Sequence, residues 1–391
     1  MQDNPNLSTR VVWINARFLG RTLTGVERVA TELLAAASRH ILDSHGTFTR
    51  RGVRYALRLI APTAYDGDSP WSNIPLETGG RFKGHLWEQI DLPRLTRQGL
   101  LISLCNTGPV LKRNHLVYLH DAQPFAIPKN FSLGFRSWYR VMFYLLVRRA
   151  RHIFVNSDFT QNELARYVDL DLNKVTRLYL AADLDTPSDN ADCLADMNVP
   201  SKPFVLAVSS ANPNKNFAGV LKALDHLGSD SPPVVFVGAR HHDHFSGTEI
   251  DWGKTTHLGY VTDQQLNALY RRALCLVFPS FYEGFGLPPL EAITAGCPVI
   301  VSKTSSLPEI SADAALYCDP NDPTTIADCV HQLASNDELR AAQIQKGLAR
   351  SALFSWRASA NTLIETIART DSDYRAGVRS PLPESIRIPS D

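Results

Sequence analysis

Along this chain, short apolar runs of four or five residues alternate with longer stretches in which apolar positions recur every three or four residues. The short runs suit strands buried on both faces, the longer ones helices that cover them, and the alternation predicts parallel sheets in an α/β fold. In the first half, Val11–Ile14 reads as a strand. The loop after it leads to Thr24, Gly25, Val26 and Glu27, where the Thr and Glu spacing matches a capping box and predicts a helix to about Ala37. Further strands are predicted at Leu57–Ala61, Leu100–Leu104, Leu116–Leu119 and His152–Asn156, with a helix from Phe135 to Ala150 before the last. The pattern restarts at Phe204–Val208, passes through a polar loop into a helix over Phe217–Leu227, and continues with strands at Val234–Val237, Leu274–Phe278 and Val299–Val301.

Thr186–Lys202 is rich in Pro, Ser, Asp and Asn, the composition of a linker. The expected organisation is a first domain over 1–185, a linker over 186–202, and a second domain over 203–370 whose last helix is able to pack back on the first. A loose tail is expected over 371–391. A length of 391 residues with 44% hydrophobic content suits two such domains.

Charge separates the halves. Residues 1–182 hold 24 Lys and Arg against 14 Asp and Glu, whereas 183–391 hold 16 against 25. The basic half suits phosphates or an acidic membrane surface, and an uneven spread of solvated charge gives the same count. The six cysteines form no CxxC pair and several sit in apolar runs, as buried thiols do in a reducing compartment. The polar N-terminus lacks the character of a secretory signal, and the longest apolar run, Val141–Val147, is far shorter than the ~20 residues that cross a bilayer. A cytoplasmic protein is expected. The Phe135–Ala150 stretch mixes Arg136, Arg140, Arg148 and Arg149 with Trp138, Tyr139, Phe143 and Tyr144, so it fits either reversible docking on anionic lipid at the inner membrane face or core packing.

The richest chemistry lies between Phe278 and Glu291. Pro288 and Pro289 suit a helix start, Gly296 its end, and Glu291 is expected in the first turn. In open parallel sheets, ligands bind beyond the carboxyl ends of the strands, which is where this loop must lie. Gly284 and Gly286 allow backbone N–H groups to approach an anion, and the helix dipole adds about half a positive charge. Each carboxylate can accept from two hydroxyls, so Glu291 suits a ribose diol and Glu283 the hydroxyls of a sugar. A glutamate at a helix start also commonly does no more than complement the dipole.

Glu283 and Glu291 around Gly-Phe-Gly-Leu-Pro resemble the paired-glutamate signature of retaining family-4 glycosyltransferases, the glycosyl transferases group 1 class with mannosyltransferase-like members. The likeness continues through Ala295–Ile300, Leu307-Pro308-Glu309 and Ala314-Ala315, and takes in Gly259-Tyr260-Val261 before the signature. It implies a GT-B fold of two Rossmann-like, doubly wound domains facing across a cleft. It also implies a donor site of Ser209, Ser210, Lys215, Val261, Glu283, Gly284, Phe285, Gly286, Leu287 and Glu291, with Lys215 on the donor pyrophosphate. Ser209, Ser210 and Asn214 replace the family's commoner residues, and Ala181-Ala182 replaces a Gly-Val type pair. In the first half, Thr24–Arg28 and Leu119-His120-Asp121 resemble the acceptor-side loop and the His that faces the sugar. Gly25, Arg28 and Asp121 are the acceptor-side candidates, and His120 joins Glu283 and Lys215 as catalytic candidates.

The expected partners are therefore a nucleotide diphosphate sugar and a lipid-linked or polysaccharide glycan, with no nucleic acid, no cofactor and no metal. GDP-mannose is the leading donor by resemblance. A noncatalytic sugar-nucleotide-binding protein and a GT-B phosphorylase or epimerase are the alternatives. His241-His242-Asp243-His244 looks metallophilic but lacks a second cluster nearby in sequence, and Asp169-Leu170-Asp171 and Asp183-Leu184-Asp185 read as solvated turns. No complete Gly-x-Gly-x-x-Gly follows the first strand, which disfavours a nicotinamide dehydrogenase.

Overall fold

The structure, a computed structural model, describes residues 9–22, 24–182, 191–209, 212–228, 231–238 and 255–376. These fall into two compact units, one of residues 9–180 with 356–376 and one of residues 181–355.

Each unit is built on a mostly parallel sheet. In the first, the strands are β1 (Arg10–Asn15), β2 (Thr47–Arg50), β3 (Val53–Pro62), β4 (Leu76–Gly79), β5 (Leu100–Ser103), β6 (His115–Leu119), β7 (His152–Val155) and β8 (Val175–Arg177). Their order is β2-β3-β1-β5-β6-β7-β8, with β4 also on β3. Among the described residues only β2 pairs antiparallel, through a tight hairpin in which Arg51 and Gly52 both take positive φ. The second unit carries β9 (Val205–Val208), β10 (Val234–Val237), β11 (Thr255–His257), β12 (Cys275–Phe278), β13 (Val299–Ser302) and β14 (Ala315–Cys318), ordered β11-β10-β9-β12-β13-β14. That is the doubly wound 3-2-1-4-5-6 order. The reversals fall between β1 and β5 and between β9 and β12.

Both cores follow from strands that are apolar on both faces. Val117, Leu119, Ile153 and Val155 pack against Phe143 and Leu146 of the helix Leu133–Arg149. Val205, Phe236, Val277 and Ile300 pack against Ile326 and Leu333 of the helix Pro323–Ser335. Each such side chain contributes about 1.5–3 kcal/mol by leaving water. The six cysteines are all free thiols. No helix among the described residues is long and apolar enough to cross a membrane.

Several local expectations change. Thr24 precedes the helix Gly25–His40, but its hydroxyl donates to the Glu27 carboxylate and no side chain caps the first turn. Glu27 is turned away by Arg21, whose Nη1 stands 3.0 Å from Oε1. Residues 371–376, expected as tail, continue the helix Trp356–Ala376, which packs on the helix Gly25–His40 in the first unit. Asp371 anchors that end by pairing with Arg10 and accepting from Tyr55 Oη at 3.3 Å. Earlier along the same helix, Ser359 Oγ donates to the Tyr179 carbonyl at 2.6 Å. Within the expected linker, Ala191–Leu194 forms a helical turn with Leu194 buried.

Two histidines at strand starts, His115 and His152, are buried and bond through Nε2 to Ser103 Oγ at 2.9 Å and Thr176 Oγ1 at 2.8 Å. Burial pushes both down to about 3, aided at His152 by Arg369. The unfolded chain takes these protons near 6.5 and the folded chain resists them, so stability is complete above pH 6.5 and is lost as pH falls toward 3. The slope is at most about 1.4 kcal/mol per pH unit for each histidine. Urea unfolding should show a lower midpoint at pH 4.5 than at pH 7; equal midpoints would contradict the assignment.

Candidate functional site

In the second unit, the loops after β9 and β12 meet where strand order reverses. Asn214 joins them: its backbone carbonyl accepts from Phe281 N at 2.9 Å, and its side-chain Nδ2 donates to the Tyr282 carbonyl at 2.7 Å. Asn214 is buried, so its amide is committed to the neighbouring loop instead of to a phosphate. An Arg at this position would put a charge where a short amide closes the gap. Asn212 shapes the turn by accepting from Asn214 N at 2.9 Å.

The clamp sets Lys215 beside Glu283, with Nζ donating to Oε1 at 2.6 Å. Glu283 is buried, the Lys215 side chain is 23% exposed, and its ammonium also lies 5.2 Å from the Phe278 ring centre. Ser305, at a strained φ of 58°, accepts from Glu283 N at 3.0 Å, while Ser306 Oγ donates to the Glu283 carbonyl at 3.1 Å. Glu283 is thus held at both its backbone N–H and its carbonyl.

Gly286 enters the helix Leu287–Thr294 at φ 96°, and a Cβ there would lie 2.6 Å from Leu307 Cδ2, so this position requires glycine. Pro288 and Pro289 carry no N–H, and the amides of Gly286 and Leu287 make no hydrogen bond among the described residues. Those two amides are the donors this helix start offers an anion. Because the helix begins at Leu287, Glu291 lies past the first turn, contrary to the sequence expectation. The dipole therefore does less to explain it. Glu291 is buried, and Tyr270 Oη donates to its Oε2 at 3.1 Å.

The remaining candidates divide. Ser209 N donates to the Val237 carbonyl at 3.0 Å at the end of β9, and Val261 is half-buried just before the helix Asp263–Arg272. Gly284 and Phe285 lie in the Glu283 loop, Phe285 buried edge-on to Phe354 at 6.0 Å. Ser210, His241–His244 and Asp183–Asp185 lie outside the described residues. In the first unit, His120 follows β6 directly, with its ring buried and stacked 4.2 Å from Tyr118. Its Nε2 donates to the Leu104 carbonyl at 2.7 Å, and Nδ1 makes no hydrogen bond among the described residues. Burial holds this imidazole at about 4, so it is neutral near pH 7 and Nδ1 can only accept. Asp121 caps the next turn by accepting from Gln123 N at 2.9 Å; Gly25 opens its helix with nothing within 4 Å of a Cβ; Arg28 is half-buried one turn on. Asp171 likewise caps a turn, accepting from Asn173 N at 3.1 Å. No group of three His, Cys, Asp or Glu among the described residues is arranged to hold a metal.

Sequence reasoning missed Tyr270, Ser305 and Ser306, whose roles come from long-range contacts. It also missed Glu88 of the first unit, for which a charge set among Trp87, Ile90 and Leu92 was the available signal.

Residues 197–350, which span this second-unit site, match the Glycosyl transferases group 1 family. The chain carries a glycosyl transferases group 1 domain and has the GT-B fold. Sucrose-phosphate synthase from Thermosynechococcus elongatus superposes over 93% of this chain and 100% of its own with a TM-score of 0.69 at 18% identity. Anabaena HepE, solved with UDP and glucose, does so over 92% and 99% with a TM-score of 0.67 at 16% identity. Among relatives by sequence, O-antigen chain mannosyltransferase B of Escherichia coli is 34% identical over 221 residues, 53% of this chain and 58% of that protein. O-antigen chain mannosyltransferase RfbU of Salmonella typhimurium is 29% identical over 228 residues, 57% and 61% of the two chains. The matched part thus spans less than two thirds of the length of either relative.

Because Asn214 ties the two loops, Asn214→Ala removes a buried donor from the Tyr282 carbonyl, at a cost of about 1–3 kcal/mol. The thermal midpoint should fall, and nucleoside diphosphate affinity with it, as the loop that carries Lys215 loses its anchor on the Phe281–Tyr282 segment. An unchanged midpoint would show that the clamp is dispensable.

Proposed function

We propose that this chain is a retaining glycosyltransferase that moves a hexose, with mannose from GDP-mannose the leading donor, to a lipid-linked or polysaccharide acceptor in the synthesis of a cell-surface glycan. The observation that carries the reading is the Lys215–Glu283 pair at the carboxyl ends of β9 and β12, in one unit with Glu291. The mannosyltransferase names of the relatives support the sugar, and their O-antigen role supports the acceptor class.

In this reading the donor diphosphate displaces Glu283 from Lys215 and takes the amides of Gly286 and Leu287. Glu283, released, binds hydroxyls of the hexose, and Glu291, oriented by Tyr270, binds the ribose diol. His120 accepts a hydrogen bond from a sugar hydroxyl through Nδ1. The bond from the anomeric carbon to the diphosphate oxygen breaks as the acceptor oxygen bonds on the same face, and the acceptor proton passes to the departing phosphate. The ammonium and amides stabilise the leaving group electrostatically, so turnover needs no bound divalent metal.

The two glutamates should fail differently. Glu291→Ala loses a charged hydrogen bond of about 1.5–3 kcal/mol and should weaken GDP binding by roughly tenfold or more. Glu283→Ala frees Lys215, so GDP affinity should hold or tighten while turnover falls at least about tenfold. Calorimetry with GDP and UDP, and steady-state rates in EDTA with donors of both bases, measure these effects. GDP affinity lost equally in both variants would refute the separate roles, and turnover abolished by EDTA and restored by manganese would refute metal independence.

We also propose that the helix Leu133–Arg149 docks on anionic lipid. Met142, Phe143, Leu146 and Val147 face the core, whereas Leu133, Phe135, Val141 and Tyr144 are exposed among arginines. Arg140 is a poor probe, because its Nε donates to the Pro124 carbonyl at 2.9 Å and its guanidinium lies over Phe125. Charge reversal at Arg136 and Arg149 should cut sedimentation with phosphatidylglycerol vesicles and leave the thermal midpoint unchanged. Undiminished vesicle binding would exclude this helix.

A further inference from the structure

The first unit has a polar cluster at its own reversal of strand order, beyond the carboxyl ends of β1 and β5, that the donor reading leaves unused. Its centre is Glu88, which has no exposed surface and sits in the widened turn Trp87–Asp91, a helical irregularity that concentrates at functional sites. Oε1 accepts from Asn15 Nδ2 at 2.8 Å and from Thr107 Oγ1 at 2.9 Å, tying the turn to the ends of both strands. Oε2 makes no hydrogen bond among the described residues and faces Arg17 Nη2 and His85 Nδ1, each 3.4 Å away. A buried, ionised oxygen in that state marks a cluster built for more than packing.

The outer layer is accessible. The His85 side chain is 40% exposed and meets Trp138 and Tyr139 edge-on, with ring centres 5.9 and 6.3 Å away. The Tyr139 hydroxyl makes no hydrogen bond among the described residues and lies in the field of Arg17, Arg21, Glu27 and Glu88. Two guanidiniums thus stand against two carboxylates. An anionic ligand would gain from one pair what it loses to the other, whereas hydroxyls, which donate and accept, match both. The exposed indole of Trp138 offers an apolar face to the C–H side of a pyranose.

We infer that this cluster binds an uncharged pyranose in preference to sugar phosphates or acidic sugars, through His85, Tyr139 and Arg21, with Glu88 as the positioning residue. That this pyranose is the acceptor sugar rests on the glycosyl-transfer reading above; its binding does not.

The test uses the full chain, with α-mannobiose and mannose 6-phosphate as probes, read by saturation-transfer NMR and tryptophan fluorescence. Mannobiose should bind at least tenfold tighter than mannose 6-phosphate. His85→Ala and Tyr139→Phe, which change a partly exposed ring and a single hydroxyl, should weaken mannobiose at least fivefold while GDP affinity stays within twofold. Equal binding of the phosphate, unchanged mannobiose affinity in both variants, or no binding of mannobiose, maltose or galactobiose would overturn the site. A chain that binds GDP but none of these disaccharides refutes this inference and leaves glycosyl transfer standing. One that binds mannobiose through His85 but neither GDP nor UDP does the reverse.

Discussion

Strand order reverses beside β1 in one sheet and beside β9 in the other, and the chemistry of each unit depends on that reversal. Crossover helices on either side of such a point run to opposite faces, so the loops at the carboxyl ends part and leave polar backbone that neither helix layer covers. The two units close the gap with the same set of groups. An asparagine bridges the loops, a buried glutamate sits beneath, and a cation faces it: Asn214, Glu283 and Lys215 in one, Asn15, Glu88 and Arg17 in the other. In each, pairing the buried carboxylate with a cation lowers the cost of burying it.

The Lys215–Glu283 pair stabilises the chain less than its 2.6 Å contact suggests, because both groups have surrendered much of their hydration. What it secures is readiness. In the proposed reaction each partner keeps the other oriented and off competing contacts until a diphosphate presents a stronger claim on the ammonium. The clamp at Asn214 and the serine grip on the Glu283 backbone hold both loops in place, so the exchange proposed above involves side chains alone.

Much of this was legible in the sequence. The apolar runs located the central strands because burial on both faces leaves a continuous signature, and the glycines and prolines around Glu283 located the loop-to-helix junction. Strands β2, β4, β8, β11 and β14 escaped notice because they are short, lie toward the sheet margins and carry polar residues such as Thr47, Thr49 and Glu77. The capping box at Thr24 failed for another reason: the pattern yields when a partner outside the box, here Arg21 on the preceding turn, offers the carboxylate a competing contact. Asn214 stood out only as a replacement of the family's commoner residue, because its partner, the Tyr282 carbonyl, is 68 positions away and invisible to any window.

The helix Trp356–Ala376 gives the chain an asymmetry of assembly. It belongs to the unit that the first 180 residues begin, so the second unit is in effect an insertion within the first. During synthesis the inserted unit has all its strands available before the enclosing one has its last helix, and until then Tyr55 and Arg10 lack Asp371, and the face of Gly25–His40 lacks its cover. The order of birth along the chain is therefore not the order of completion: the part made first is finished last, and whatever holds its exposed helix face in the interval guards the whole molecule against early association.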